Sequence, residues 1–347
     1  MTRLTKLLGT SAAALTATAA LAADPELLVF DYSGFENPDF HIPYSAAHGD
    51  SPTFAFFGDE EEAFQKIVSG FQTDVTHVCS GSVNKWIEAG IVEPWDVSKI
   101  PAITDIDATL MGQEVTETSE VYFVPTDFGT TAIAYNPDEI SAETVSTLDV
   151  FLSPEYAGRL SIPDNVDDAY ALAYLATGTS DWTNASDEQF EAASDWLRQA
   201  HGNLRTYWTD PAELSQLMAS GEVLISWAWN ETYPTMKEEG RPIAFERSPK
   251  EGSSVWLCGY VNMKDAQGSE DKAYDYINAI LAPETTEALL SQGFGHANAA
   301  ALASISAEEL DAAGLGEASG PLLAQLPMSR ELRDKQSEAF ERIQAGF

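Results

Sequence analysis

From Leu27 onward the chain alternates short apolar runs with stretches whose apolar residues recur at helical spacing, and that alternation restricts it to few folds. Leu27-Leu28-Val29-Phe30 and Thr53-Phe54-Ala55-Phe56-Phe57 read as buried strands. After Gly58-Asp59-Glu60, the residues Ala63, Ile67, Val68 and Phe71 return at helical intervals, with acids where a helix N-terminus favours them. Val75 to Val78 reads as a third strand and Val83 to Ala89 as a helix stopped by Gly90. Val121-Tyr122-Phe123-Val124 and Thr131-Ala132-Ile133-Ala134-Tyr135 read as strand segments on either side of a turn at Gly129. The second half repeats the theme. Strands are expected at Arg159 to Ile162, Val223 to Trp229 and Tyr260 to Met263. Helices are expected at Ala169 to Ala176, Glu188 to Ala200, from Asp210-Pro211 to Ser220-Gly221, and at Ser269 to Leu281. Strands interleaved with helices predict an α/β fold with mostly parallel sheets.

The first 22 residues read as a secretory leader. Arg3 and Lys6 precede an apolar stretch from Leu7 to Leu21, which is short for a bilayer span, and Ala20-Leu21-Ala22 has a small-x-small cleavage pattern. A buried N-terminal helix is the plainer alternative. Cleavage would leave residues 23–347, longer than a single core usually grows, so two lobes are expected. No cysteine near the cleavage point suggests a lipid anchor, and a bacterial periplasm is the expected destination.

Hydrophobic residues make up 44% of the chain and aromatics 10%, enough for sizeable cores. The net charge is −37, and −39 once Arg3 and Lys6 are removed. Such a surface repels nucleic acid and anionic lipid and favours cations at long range, although solubility in a salty medium is the plainer explanation. No cofactor or metal is expected, since the five histidines are scattered and no Cys/His spacing resembles a zinc site. Catalytic signatures are missing too: there is no G-x-S-x-G, H-E-x-x-H, G-x-x-x-x-G-K-[ST] or G-x-G-x-x-G. Cys79, at a strand-to-helix junction with His77 two residues away, could in principle be an activated thiol. A packed cysteine, a disulfide with Cys258 or a pocket lining are the stronger readings.

Aromatic residues beside acidic ones at strand ends form the more telling pattern. Tyr32, Ser33 and Phe35 follow the first strand; Asp127-Phe128 adjoins Gly129. Tyr207-Trp208-Thr209-Asp210 precedes a helix, Trp229-Asn230-Glu231 ends a strand, and Trp256-Leu257-Cys258 lies at a junction. In α/β sheets ligands bind beyond the carboxyl ends of strands. Aromatic faces attract ammonium groups, and carboxylates fix them by charge-assisted hydrogen bonds.

At these residues the chain resembles the periplasmic spermidine/putrescine-binding proteins of ABC importers, within the extracellular solute-binding family. Val124-Pro125-Thr126-Asp127-Phe128-Gly129-Thr130-Thr131-Ala132-Ile133-Ala134-Tyr135-Asn136 is similar to the family's P-x-x-[WF]-G-[AT]-T-[AG]-I-x-x-N crossover. Leu28-Val29-Phe30-Asp31-Tyr32, Pro154-Glu155-Tyr156-Ala157-Gly158, Gly221-Glu222-Val223 and Trp229-Asn230 resemble further family segments, in order along nearly the whole chain. The resemblance implies a two-lobed periplasmic binding protein fold, with a hinge and a ligand cleft between the lobes. It implies lobe 1 at residues 23–133 plus 257–300 and lobe 2 at residues 134–256 plus 301–347. The implied protein is a monomer, not an enzyme, that hands a small cationic or zwitterionic ligand to an ABC permease in the inner membrane.

Residue by residue, Trp229, Trp256, Tyr32 and Phe35 match aromatic walls of the polyamine site. Phe294 matches a tyrosine there, and Asp168 matches a glutamate that contacts an amine. Several family carboxylates are replaced: by Gly34 after the first strand, by Asn165, and by Cys258 just past the second tryptophan. A tyrosine beyond the third strand is replaced by Gly81. Asp127, Asp210 and Glu231 are the expected stand-ins. The resemblance brings Cys79 and Cys258 toward the same cleft and leaves their bonding open. A polyamine is the leading ligand; a quaternary ammonium compound, an amino acid derivative or another zwitterion is the alternative, and a secreted enzyme on the same scaffold the rival class.

Overall fold

The computed structural model describes residues 23–58, 60–106, 108–111 and 119–347. The leader and Asp59 lie outside the described residues. Twelve strands hydrogen-bond into one connected sheet. They are β1 (Asp24–Tyr32), β2 (Pro52–Phe57), β3 (Val75–Cys79), β4 (Val92–Glu93), β5 (Phe123–Tyr135), β6 (Leu160–Pro163), β7 (Leu204–Trp208), β8 (Ile225–Trp229), β9 (Ala244–Glu246), β10 (Ser253–Met263), β11 (Gly295–His296) and β12 (Leu322–Ala324). The main path runs β2-β1-β3-β10-β5-β8-β6-β7.

The two ends of this path are parallel: β1 pairs in parallel with β2 and β3, and β6 with β7 and β8. The two long central strands run antiparallel to each other, and each is antiparallel to the end it adjoins, β10 to β3 and β5 to β8. Each changes partners along its length. Strand β5 bonds to β11 at Asp127 and Phe128, then to β8 from Thr131 onward. Strand β10 bonds to β12 at Ser253 to Val255, then to β3 from Cys258 onward.

Two cores follow from this arrangement. One gathers Leu27, Val29, Val75, Trp95, Tyr260 and Ile277. The other gathers Ile162, Tyr170, Trp182, Trp196, Trp227 and Phe340. The molecule is a two-lobed α/β protein whose lobes share the β5–β10 pair. Local signals set its helices: Asp187–His201 opens on a capping box between Ser186 and Gln189 and carries Arg198 and His201 in its last turn, both favourable to the helix dipole.

Three sequence readings need correction. The sheet is mixed rather than mostly parallel, because β5 and β10 run antiparallel to their neighbours on the main path. Gly129 makes no turn; β5 runs unbroken through it. A Cβ at Gly129 would overlap the Trp256 ring, so this glycine marks a close approach rather than a chain reversal. Likewise Val255 to Cys258 lies inside β10, not at a junction.

Candidate functional site

Of the eight tryptophans in the sequence, Trp86, Trp95, Trp182, Trp196, Trp208 and Trp227 are buried. Trp229 and Trp256 alone stay half-buried. Both flank the crossover: Trp256 lies opposite Gly129 and Trp229 opposite Thr131 on β5. Residues 129 and 131 point to the same face of a strand, and directly opposed residues share it. The two indoles therefore rise from one face, separated by a glycine.

The lobe 1 side of this face is aromatic. Phe35 stacks on Phe294 with centroids 5.3 Å apart, and Trp256 meets Phe294 edge-on at 6.0 Å. Tyr32, at the end of β1, packs edge-on to Phe57, and its hydroxyl donates to Glu60 at 3.3 Å.

Two carboxylates lie in this region: Asp168, bonded to Trp229, and Glu231, two residues beyond Trp229 and electrostatically coupled to Asp168. Asp168 lies in the first turn of the Val166–Ala176 helix, whose N-cap is Asn165. It accepts from Trp229 Nε1 at 2.7 Å, Thr131 Oγ1 at 2.6 Å and Gln325 Nε2 at 3.1 Å. Burial outweighs those three donors and pushes its carboxyl up to about 6. Glu231 follows β8, and its Oε2 is buried without a partner. Burial, reinforced by Asp168 and Asp127, pushes it up to about 8. Asn230 fixes this corner. Its Oδ1 accepts from Thr130 N at 3.0 Å, and its Nδ2 donates to Gly293 O at 2.5 Å and Ala313 O at 2.8 Å.

Beneath the aromatics lies a charged network that sequence reasoning missed. His77 Nδ1 sits 2.8 Å from Asp31, and Nε2 sits 3.1 Å from Asp127. Tyr260 stacks on the imidazole at 4.6 Å and donates its hydroxyl to Asp31 at 2.6 Å. Burial disfavours a charged His77, but Asp31 and Asp127 overcome it and push the imidazole up to about 10. His77 is thus a buried cation between two acids, and its edges support Phe35 at 4.4 Å and Tyr32 at 5.8 Å. The signal was present in alternation: Asp127 shares a strand face with Gly129 and Thr131, but His77 lies 46 residues from Asp31 and 50 from Asp127 in the sequence.

Several expected site residues have other duties. Asp127 is buried, bonded to His77 and to Thr126 Oγ1 at 2.7 Å. Asp210 is exposed and caps the Pro211–Ala219 helix, accepting from Glu213 N at 2.8 Å; no described contact joins it to the indoles. Cys79 and Cys258 stand opposite each other on β3 and β10 and form a disulfide, so neither is a thiol. The pairing of His77 with a nucleophilic Cys79 is thereby excluded. Phe128 packs on Gly295 toward the lobe 1 core, and Ser33 is exposed beside Tyr32. Phe35, Phe294 and Trp256 are joined by ring contacts, Tyr32 meets Phe35 through His77, and Asp168 is bonded to Trp229.

Two lobes joined through shared strands, with aromatic and acidic groups at the crossover, define a solute-binding architecture. A bacterial extracellular solute-binding protein model matches residues 44–313, and the chain belongs to that family. It is 26% identical over 339 residues to the putrescine-binding periplasmic protein PotF of Escherichia coli, covering 91% of this chain and 90% of that protein. It is 24% identical over 285 residues to the spermidine/putrescine-binding periplasmic protein of Salmonella typhimurium, covering 81% of this chain and 80% of that one. In structure it matches a putative spermidine/putrescine ABC transporter protein from Listeria monocytogenes with a TM-score of 0.75 at 21% identity, over 91% of this chain and 98% of that chain. Membership of that family makes the protein a solute-binding protein rather than an enzyme. Among the described residues no helix is long and apolar enough to cross a membrane.

Proposed function

We propose that this protein captures a short polyamine in the periplasm and delivers it to an inner-membrane permease. The observation that carries this reading is the pair Asp168 and Glu231. Asp168 is buried and bonded to Trp229, Glu231 has a buried carboxylate oxygen without a partner, no cation acts on either, and Trp229 and Trp256 are the two half-buried tryptophans. An ammonium group would supply the missing charge, and the indole faces would add about 0.5–2 kcal/mol each by cation–π attraction. The names of the relatives, which specify putrescine or spermidine, support the same class. Tyr32, Phe35 and Phe294 would wall the ligand from lobe 1. The leader would be removed near Ala22, and the mature protein would act as a monomer.

Closure would occur about the β5–β10 crossover, between lobe 1 at residues 23–133 plus 257–300 and lobe 2 at residues 134–256 plus 301–347. The partner exchange of both strands supports a hinge there. A second reading, a ligand with one cationic nitrogen such as a quaternary ammonium or a zwitterion, is favoured by one observation: Asp127 and Asp210 are already committed elsewhere.

A thermal-shift panel on residues 23–347 tests both. Putrescine at 100 times Kd should add about 2.7 kcal/mol, a rise of several degrees. Glu231→Gln should weaken binding by about tenfold or more. A rise with choline or glycine betaine alone would replace the polyamine by the second reading. No rise with any amine would reject both.

A further inference from the structure

We infer that Arg333 is a specificity-determining residue: its guanidinium is a built-in cation at the Gly81 end of the cleft, holding the place that the far ammonium of a long polyamine would need. The inference rests on the polyamine reading above. Arg333 lies in the first turn of the Arg330–Gln344 helix, where the helix dipole disfavours a cation. A charge so placed needs nearby anions. Asp167 provides one, through contacts from Nη1 to both carboxylate oxygens. The arginine side chain is only 16% exposed, and that of Asp167 10%.

The pair does not stay within its own lobe. A Cβ built on Gly81, at the end of β3 in the other lobe, would lie 2.5 Å from Asp167 Oδ2 and 2.6 Å from Arg333 Nη1. The ion pair therefore presses on bare backbone, and no side chain fits between. Glu60, also from lobe 1, feels the same charge: burial raises its carboxyl, and Arg333 is the leading influence that opposes the rise. Glu60 in turn accepts from Cys79 N at 2.6 Å and from the Tyr32 hydroxyl, so it stands at the wall of the site.

Asp167 is thus paired with an internal guanidinium whose charge also reaches Glu60, while no cation acts on Asp168 or Glu231. A short diamine needs only the second pair. A third amine nitrogen reaching toward Gly81 would meet a like charge whose ion-pair partner, Asp167, is already taken. The chain would therefore discriminate against spermidine by placing a repulsive group in its path as well as by what attracts putrescine.

Isothermal titration of putrescine and spermidine into residues 23–347 and into Arg333→Gln provides the test. The wild-type protein should bind putrescine at least tenfold tighter than spermidine. Arg333→Gln should shift that ratio at least tenfold toward spermidine, and Arg333→Lys should restore the wild-type preference. A ratio that stays within threefold in a folded Arg333→Gln protein overturns the inference while leaving the polyamine reading intact. Should that variant not fold, the wild-type protein alone decides: spermidine binding as tightly as putrescine also overturns it. If no amine binds either protein, the polyamine reading and this inference fail together.

Discussion

A carboxyl group with a raised pKa records an electrostatic cost that some partner could relieve, and Glu231 is such a group. Its ordinary value of 4.5 is pushed up to about 8. Between those values the folded protein holds a proton that the unfolded chain has lost, so Glu231 makes stability fall as pH rises through that window. The contribution is complete below about 4.5 and gone above about 8. Subtracting the Tm of Glu231→Gln from that of the ligand-free protein, from pH 5 to 8, should therefore give a declining curve. His77 works in the same direction at higher pH and is common to both proteins. Ligand binding runs oppositely. An amine stays charged across this range, as a lysine ammonium does, and prefers the ionised carboxylate. Putrescine affinity should rise by roughly tenfold between pH 6 and 7.5, with protons released, and Glu231→Gln should flatten that rise. Titration in buffers of different ionisation enthalpy measures the release. At this scale the sequence was a partial guide. Aromatics beside acids at strand ends pointed to Trp229, Glu231 and Trp256. It also pointed to Asp210, although the Asp-Pro pair that opens a helix already accounts for that carboxylate as a cap.

The elements that matter most are the two crossing strands. Leu27 to Phe30, Thr53 to Phe57 and the helix that Ser186 caps were legible because each is specified by its own few residues. Strand β5 was not, because the reason for Gly129 lies across the sheet on β10. Read locally, a glycine between two apolar runs signals a turn; its real role is to leave room for an indole. Gly129→Ala should push Trp256 off its seat, costing about 1–3 kcal/mol in stability as an overpacked site does. Putrescine affinity should fall by about tenfold, because the cation–π face is displaced. Chemical denaturation and titration calorimetry measure the two effects separately. The same reasoning explains why the Asp31–His77–Asp127 network stayed hidden. Its three members sit on three strands, and only the pairing of β1, β3, β10 and β5 brings them together.

For the molecule as a whole, the Cys79–Cys258 disulfide ties the start of the chain to its later half, 179 residues on. Opening it releases a long loop in the unfolded state, for which a loss of about 2–5 kcal/mol is expected. Urea unfolding with and without reductant should reveal that loss, and a Cys79→Ala/Cys258→Ala protein should be indifferent to reductant. The two lobes themselves were legible from length and from the order of the family segments. The disulfide was not, because cysteines so far apart in sequence carry no sign of being neighbours across a sheet.

The staple has a mechanical consequence as well. Strand β10 is held to one lobe from Cys258 onward and to the other up to Val255, so only Trp256 and Leu257 are left between the two attachments. On the proposed hinge this span acts as a pin rather than a spring. A group mounted on a pin turns in place while everything farther out sweeps an arc. Trp256 would hold nearly the same position whether the jaws are apart or together. On that reading it would be the landing spot on which a ligand settles before the rest of the pocket swings in around it.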